Sequence, residues 1–387
     1  MTSLKQEYAH LSPLFSLTFS FSYQYYHSFA CACALLSSSP MSFPKQGLFL
    51  EKLGICHRYQ MWRIALNGIP VMKSSYLIIK DLAFDDIPVR VYWPRTPSTS
   101  RRGILYLHGG IGVCGSILKL NHWKIYISVH LCIRFRLVPE YPSHVTIRDC
   151  CTAATHFLKN AKAYGVDPNR VLIAGDSSGG TFAAAVSQKL VMRDDLPRLR
   201  AQVLLYPFLQ AVDFSLPSHQ HGFYFLTGKQ VDVDGIMKNA HVPEHVLVKC
   251  RKWISADNIP EQFKVRGYTP PVPAPFSKQL YETCKAAFDP TFSPLLAEDC
   301  IIRRLPDTFI YTCEYDVIRD DGLLYKKRLE DNGVSVTWFH VKNGYHGILF
   351  TLGCQCGETS WWVPMLCSPW FSKNANLNLF LFCYLME

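Results

Sequence analysis

The sequence lacks the residue spacings of a metal site. It contains 15 cysteines in 387 residues, but Cys31-x-Cys33 and Cys354-x-Cys356 are not accompanied by the second pair that a structural zinc site requires. Asp232-x-Asp234 lacks the other ligand positions of an EF-hand loop and is typical of a solvated turn. We therefore expect no bound metal, and no part of the chain implies an organic cofactor.

The sequence also lacks a basic stripe with interleaved aromatic side chains. The formal net charge is +10, which is modest for this length, and the basic residues are scattered. The pairs Arg101-Arg102 and Arg303-Arg304 each stand beside a predicted strand. This distribution argues against nucleic acid as a partner. The chain has no Asn-x-Ser/Thr acceptor for glycosylation either, so that modification cannot indicate the compartment.

One stretch near the amino terminus lacks charge altogether. Residues 11–36 contain no Asp, Glu, Lys or Arg, and this length is sufficient to span a bilayer. Many Ser and Tyr residues, together with Gln24 and His27, make insertion marginal. Two interpretations stay open: a weak signal anchor that gives membrane association through residues 11–36, or a low-complexity leader without defined structure.

A nucleophile elbow is indicated around Ser177. The apolar run 171–174 predicts a buried strand, Gly175-Asp176-Ser177-Ser178-Gly179 forms a Gly-x-Ser-x-Gly turn, and small residues at 181–185 predict a helix. A sharp turn presents the serine hydroxyl at the strand tip, where a histidine can take its proton. A Gly/Ser-rich turn without chemistry is the alternative, and the strand before and helix after the turn favour the elbow.

Two strand ends downstream carry an acid and a base in the order that this elbow requires, which is Ser, Asp, His. Asp316 follows a predicted strand that begins at residue 307, and a helix is expected from residue 318 to about 332. His346 follows the predicted strand 334–341 and a turn. We predict that His346 is the general base for Ser177 and that Asp316 orients its imidazole.

Other acidic and histidine residues near these positions are predicted to have structural rather than catalytic roles. Asp320 and Asp321 fall inside the predicted helix and are interpreted as solvated or capping residues. His340 lies within a strand and is interpreted as a packed residue. Asp149 belongs to the helix that is expected after Pro142, and its role is predicted to be structural.

An oxyanion hole is predicted upstream of the elbow. The predicted strand 103–107 is followed by His108-Gly109-Gly110. Residues without side chains let backbone N–H groups point into a site, so the N–H groups of Gly109 and Gly110 are expected to join that of Ser178. His108 is interpreted as a structural hydrogen-bonding residue.

Five motifs together resemble one protein family. They are His108-Gly109-Gly110, Arg136-Leu137-Val138-Pro139-Glu140, Gly175-Asp176-Ser177-Ser178-Gly179-Gly180, Asp316-Val317-Ile318-Arg319-Asp320-Asp321-Gly322 and Gly344-Tyr345-His346-Gly347. From about residue 48 to 347 the chain resembles the arylacetamide deacetylase-like branch of the hormone-sensitive-lipase family of α/β-hydrolases. The resemblance implies an α/β fold with a mostly parallel central sheet, helices on both faces and a helical cap.

The resemblance also implies a function and a location. It predicts a serine hydrolase for small-molecule substrates, namely short-chain carboxylic esters or aryl amides. Members of this family are usually tethered to the endoplasmic reticulum membrane by one N-terminal helix. The expected placement is therefore single-pass, with the catalytic domain in the lumen.

The domain organisation follows from alternating strand and helix patterns between residues 75 and 341, which predict one α/β domain. We assign 1–45 as a leader or marginal membrane anchor and 46–347 as the catalytic domain. A cap insertion is placed at about 208–291, and 348–387 form an atypical C-terminal tail. The insertion is rich in Pro and aromatic residues, which either line an apolar substrate pocket or fill the core of the cap.

Three departures from the family pattern bear on activity. Ile111 stands where the family has a third glycine, the segment 115–134 is shorter than the family's, and the tail does not resemble the usual closing helix. Residues 123–133 are expected to supply the strand of the shortened segment. An alternative function is therefore a catalytically impaired, hydrolase-fold binding or vestigial protein. The complete set Ser177, Asp316 and His346 favours the hydrolase.

Overall fold

A computed structural model of the chain describes residues 51–55, 63, 77–96, 98, 100–115, 128–221, 244–264, 267–270, 278, 281–282 and 285–348. The leader 1–45 and the tail from residue 349 onward lie outside these ranges, as do 116–127 and 222–243. Among the residues described, no helix is both long enough and apolar enough to cross a membrane. The charge-free stretch 11–36 falls outside that search.

The described strands form one sheet of eight in the order β1-β2-β4-β3-β5-β6-β7-β8. Their bounds are β1 Leu77–Phe84, β2 Ile87–Pro94, β3 Arg101–Leu107, β4 Val129–Ile133, β5 Val166–Asp176, β6 Ala201–Leu205, β7 Asp307–Cys313 and β8 Val336–Val341. Strand β2 pairs antiparallel with both β1 and β4. All pairings from β4 through β8 are parallel, so the carboxyl ends of these strands meet at one edge of the sheet.

The described α-helices connect these strands or belong to the cap. Their bounds are α1 Ser143–Asn160, α2 Ser178–Leu190, α3 Pro217–His221, α4 Glu244–Arg251, α5 Asp299–Ile302 and α6 Arg319–Asp331. Helices α3 and α4 fall within the predicted cap insertion, where short 3₁₀ turns accompany them. The helix that was expected from residue 318 to about 332 is thus present as α6.

The central strands β3 and β5 carry apolar runs toward their carboxyl ends, and the side chains of these runs are buried on both faces of the sheet. In β3, Leu105 and Leu107 belong to one buried cluster, whereas Ile104 and Tyr106 belong to a second. Strand β5 alternates in the same way. A period of two along each strand therefore supplies two cores, one on each face of the sheet.

The three long helices α1, α2 and α6 all contribute side chains to the first of these cores. Helix α1 buries a stripe of apolar residues at helical spacing, with Cys150, Ala153 and Phe157 on its inner side. Helix α2 is buried almost all round, and its small residues permit close approach to the sheet. None of the described helices contributes side chains to the second core. The prediction of helices on both faces of the sheet therefore stays a prediction for this second face.

Strand β4 is shorter than the strand that the sequence predicts at this position. The sequence suggested a strand over 123–133, and the structure describes one from Val129 to Ile133, with Ser128 before it. The residues 116–127 lie outside the description. Strand β4 lies between β2 and β3 in the sheet.

The prediction that Asp320 and Asp321 are solvated or capping residues is wrong, because both are fully buried. The Asp321 carboxylate accepts hydrogen bonds from the backbone N–H of Leu209 at 2.9 Å and from Nε2 of Gln210 at 3.0 Å. Burial raises the pKa of Asp321 to about 8. The first turn of α6 is therefore hydrogen-bonded to the start of the cap insertion.

Asp320 makes a second connection to the cap. Its carboxylate pairs with Arg319 at 2.7 Å and accepts from the backbone N–H of Ser218, also at 2.7 Å. The structural role predicted for Asp149 is confirmed, since this buried carboxylate pairs with Arg136 at 2.6 Å. The oxygens of these carboxyl groups accept hydrogen bonds from donors within the fold, which is how buried polar groups are tolerated.

Candidate active site

The turn at Ser177 has the geometry of a nucleophile elbow. Ser177 stands between the end of β5 and the start of α2, with φ 56° and ψ −123°, a backbone conformation that non-glycine residues rarely adopt. Its N–H donates to Leu205 O at 2.9 Å, and its carbonyl accepts from Gly180 N at 2.9 Å. A Cβ at Gly175 would lie 2.1 Å from Gly179 O, so the close strand–helix approach requires glycine there.

The structure brings the three predicted triad residues together at the carboxyl edge of the sheet. His346 Nε2 lies 2.9 Å from Ser177 Oγ, and His346 Nδ1 lies 2.9 Å from Asp316 Oδ2. Ser177 follows β5, Asp316 follows β7, and His346 follows β8. Because the parallel strands share one carboxyl edge, three residues that are far apart in sequence lie next to one another there.

Asp316 is held in one orientation. The side chain is completely buried, its Oδ1 accepts from the backbone N–H of Ile318 at 3.0 Å, and its Oδ2 faces His346. The Tyr206 ring packs edge-on against the imidazole of His346 with 5.0 Å between ring centroids. These contacts limit rotation of the imidazole, so Nδ1 faces the acid while Nε2 faces the serine. This arrangement suits proton transfer from Ser177 Oγ.

The predicted oxyanion-hole residues do not all have a free N–H. Gly109 N donates to Asp176 Oδ1 at 2.7 Å, so this N–H already has an acceptor, contrary to its predicted role. The backbone N–H groups of Gly110 and Ser178 have no acceptor among the residues that the structure describes. Ser178 opens helix α2, where the first N–H groups have no intrahelical partner.

Ile111 was not among the predicted oxyanion-hole residues, but the structure makes its backbone N–H a candidate donor. Its N–H follows that of Gly110 along the loop and likewise lacks an acceptor within the described part of the chain. Ile111 has φ 60°, which is unusual for a β-branched residue, and its side chain is 65% exposed. The family's third glycine would adopt this conformation without strain, so the substitution leaves the loop strained but its N–H present.

The remaining histidines near the loop and strands have structural surroundings. His108 is buried and stacks on Phe135 at 4.3 Å between centroids, and its Nδ1 lies 3.1 Å from Gly109 O. His340 contacts Thr312 Oγ1 through Nδ1 at 3.0 Å, and burial lowers its pKa to about 4. Within the described ranges, no three His, Cys, Asp or Glu residues are grouped so that they could hold a metal ion.

Comparison with known proteins places the chain in a family. The profile of a family described as alpha/beta hydrolase fold matches residues 104–249 and 259–350. Human arylacetamide deacetylase-like 3 is 44% identical over 328 residues, which cover 79% of this chain and 80% of the relative. Bovine arylacetamide deacetylase is 37% identical over 341 residues, covering 80% of this chain and 84% of the relative.

Solved structures show the same fold. A thermostable esterase from Pseudomonas putida has a TM-score of 0.58 at 21% sequence identity, with coverage of 92% of this chain and 96% of the esterase. At that identity the likeness concerns the fold alone. The family match, the relatives and the eight-stranded sheet agree with the resemblance carried by the five motifs. The chain therefore belongs to the α/β-hydrolase fold family, within its arylacetamide deacetylase-like branch.

Proposed function

We propose that this protein is a carboxylic ester hydrolase that cleaves short-chain esters or aryl amides through Ser177, His346 and Asp316. The observation that supports this most strongly is the pair of 2.9 Å contacts of His346, one to Ser177 Oγ and one to Asp316 Oδ2. The names of the relatives, deacetylases and deacetylase-like proteins, agree with ester or amide cleavage.

In the first half of the reaction, Ser177 Oγ attacks the carbonyl carbon of the substrate while His346 Nε2 takes its proton. Asp316 stabilises the imidazolium through Nδ1–H and remains ionised. The negative charge that develops on the substrate oxygen is stabilised by the N–H groups of Gly110, Ile111 and Ser178. Collapse of this intermediate breaks the bond to the alcohol or amine, which leaves with the proton from His346.

In the second half, a water molecule replaces the leaving group. His346 Nε2 takes a proton from this water, whose oxygen attacks the acyl-enzyme ester on Ser177. The intermediate expels Ser177 Oγ, which recovers its proton from the imidazolium. The products are a carboxylic acid and an alcohol or amine, with the enzyme regenerated and no cofactor consumed.

The second candidate function, a hydrolase fold that does not turn over, is favoured by one observation. Ile111 adopts φ 60° in the loop that carries the proposed oxyanion donors. Misplacement of a catalytic group by about 1 Å costs roughly two orders of magnitude in rate. The intact spacing of Ser177, His346 and Asp316 favours an active enzyme over this candidate.

The two functions separate in one experiment on the full chain. Ser177→Ala should reduce hydrolysis of p-nitrophenyl butyrate to the uncatalysed background, because loss of a triad serine costs about 10⁶-fold. Ser187→Ala is the matched control, since Ser187 lies buried in helix α2, which begins directly after Ser177, and its hydroxyl has no partner among the described residues. Wild-type turnover in Ser177→Ala would contradict the assignment, and a wild-type protein without turnover would favour the vestigial alternative.

For location, we propose that residues 11–36 associate with the endoplasmic reticulum membrane and that the catalytic domain lies in the lumen. Support comes from the absence of charge in this stretch and from the habit of the family that the motifs resemble. A count of flanking positive charges favours the cytosol instead, because Lys45 and Lys52 follow the stretch and Lys5 alone precedes it closely. Long domains are translocated largely regardless of such charges.

A further inference from the structure

Asp176 connects the proposed nucleophile to the loop that carries the oxyanion donors. It is the last residue of β5, directly before Ser177, and only 1% of its surface is exposed. Its Oδ1 accepts two hydrogen bonds, from Tyr106 Oη at 2.6 Å and from Gly109 N at 2.7 Å. Tyr106 lies in β3 and Gly109 in the loop after it, so one buried oxygen holds two neighbouring segments.

The contact between the loop and the elbow is also steric. A Cβ at Gly109 would lie 2.5 Å from both Asp176 O and Asp176 Oδ2, and 2.9 Å from Ser177 Cβ. The backbone of Gly109 therefore rests directly on the elbow. The position of Gly110 N relative to Ser177 Oγ follows from this contact, because Gly110 is the next residue along the chain.

The loop beyond Gly109 needs such an anchor. Gly110 has φ 131°, which glycine adopts freely, whereas Ile111 has φ 60°, a conformation that a β-branched residue seldom populates. Strained backbone persists only where surrounding contacts determine it. The two donors on Asp176 Oδ1, one from β3 and one from the loop, supply such a contact.

We propose that Asp176 is a positioning residue that holds the oxyanion hole in register with Ser177. The inference rests on the proposed function, since it concerns the same site. Asp176 does not contact the substrate in this account; it acts through Gly109 on the N–H groups of Gly110 and Ile111. Tyr106 assists as the second donor, and burial, which raises the pKa of its phenol well above the usual value, keeps the proton on Oη.

The test compares esters with thionoesters in three variants of the full chain. Sulfur is a weak hydrogen-bond acceptor, so a thionoester gains less from the oxyanion hole than the matching ester does. Asp176→Ala removes the acceptor, Asp176→Asn retains an oxygen acceptor of the same shape, and Tyr106→Phe removes one donor while keeping the ring. The readout is kcat/KM for p-nitrophenyl acetate and its thiono analogue, with unfolding temperature measured in parallel.

For Asp176→Ala we expect kcat/KM on the ester to fall by about 10²-fold, the cost of losing an oxyanion donor. The thionoester should fall by no more than about tenfold, so the ester-to-thionoester ratio drops by about tenfold. Asp176→Asn should restore most of this ratio, because its amide oxygen accepts both bonds. A merely structural role would lower stability and leave the ratio unchanged, which would overturn the proposal.

Two further outcomes are distinguishable. If wild-type protein shows no hydrolysis that depends on Ser177, the proposed function itself fails. If wild-type protein is active and Asp176→Ala folds with an unaltered ratio, only the role of Asp176 fails. Should Asp176→Ala not fold, Tyr106→Phe decides: a ratio lowered by about threefold supports the proposal, and an unchanged ratio contradicts it.

Discussion

Replacing Asp316 by Asn tests how the acid supports catalysis. The side chain is fully buried, with Oδ2 2.9 Å from His346 Nδ1 and Oδ1 3.0 Å from Ile318 N. Asn has the same shape and can still accept from Ile318 N. Its amide group, however, would donate to His346 Nδ1 and place the imidazole proton on Nε2. That tautomer cannot accept a proton from Ser177 Oγ.

The expected loss in kcat is on the order of 10⁴, as in Ser-His-Asp hydrolases in general, or about 5.5 kcal/mol of transition-state stabilisation. KM should change little, because Asp316 is buried behind His346 and does not face the substrate. The free energy of unfolding should fall by about 1–2 kcal/mol, since one charge-assisted hydrogen bond is weakened while the backbone contact remains.

The assay is steady-state hydrolysis of p-nitrophenyl butyrate near neutral pH, with urea unfolding for stability. Asp320→Asn is the matched control, because it makes the same isosteric change on a buried residue four positions along. Asp320 contacts Arg319 and Ser218 rather than His346. Its kcat should stay within about tenfold of wild type. A kcat for Asp316→Asn within tenfold of the control would refute the reasoning.

Three other predictions concern stability, substrate size and location. His130 and His219 have pKa values lowered to about 3 by burial, so the unfolded chain binds more protons between that pH and its own histidine pKa of about 6.5. The stabilising contribution of these two histidines should thus be fully present above pH 6.5 and be lost on acidification, against the opposite trend of Asp321, whose raised pKa lowers stability as the pH rises toward 8. His219→Phe should flatten the histidine part of the pH slope of urea unfolding by up to about 1.4 kcal/mol per pH unit; identical slopes in variant and wild type would contradict this. Soluble short-chain esters should be hydrolysed faster than emulsified long-chain triglycerides, and the reverse order would oppose the proposed substrate class. The full chain should stay with the membrane when microsomes are extracted with carbonate, and its release into the supernatant would refute the anchor. In sealed microsomes without detergent the catalytic domain should be protected from added protease, and its digestion would refute the lumenal placement.

The positions of Ser177, Asp316 and His346 were predictable because each follows an apolar strand pattern. Parallel strands bring their carboxyl ends to one edge, so the order of the motifs was sufficient to predict that the three residues meet. The helix between Asp316 and His346 was predictable for the same reason, from the alternation of strand and helix patterns. The comparisons support this fold, while the catalytic roles of these residues stay predictions.

The burial of Asp320 and Asp321 was not predictable from the local pattern. Acidic residues in the first turn of a helix usually interact with its dipole at the surface. Their burial depends on the segment from Leu209 to Ser218, which folds over α6 from about 100 positions earlier in the chain. A single sequence does not reveal such a long-range contact.

The role of Gly109 was misjudged for a related reason. In the sequence, every N–H of a Gly-Gly loop is an equal candidate for an oxyanion hole. The acceptor that engages Gly109 N is Asp176 Oδ1, 67 positions later. Only the path of the loop over the elbow separates the N–H that anchors the loop from those that remain available.

The central claim is that Ser177 is a nucleophile activated by His346 and Asp316, and labelling with a fluorophosphonate tests it most directly. This reagent reacts with an activated serine and leaves a phosphonyl group on its oxygen. We predict one phosphonyl group per folded wild-type chain, located on Ser177 by peptide mass spectrometry, with esterase activity lost at the same rate. Folded wild-type protein that takes up no label, or takes it up at another residue and equally in Ser177→Ala, would contradict the account.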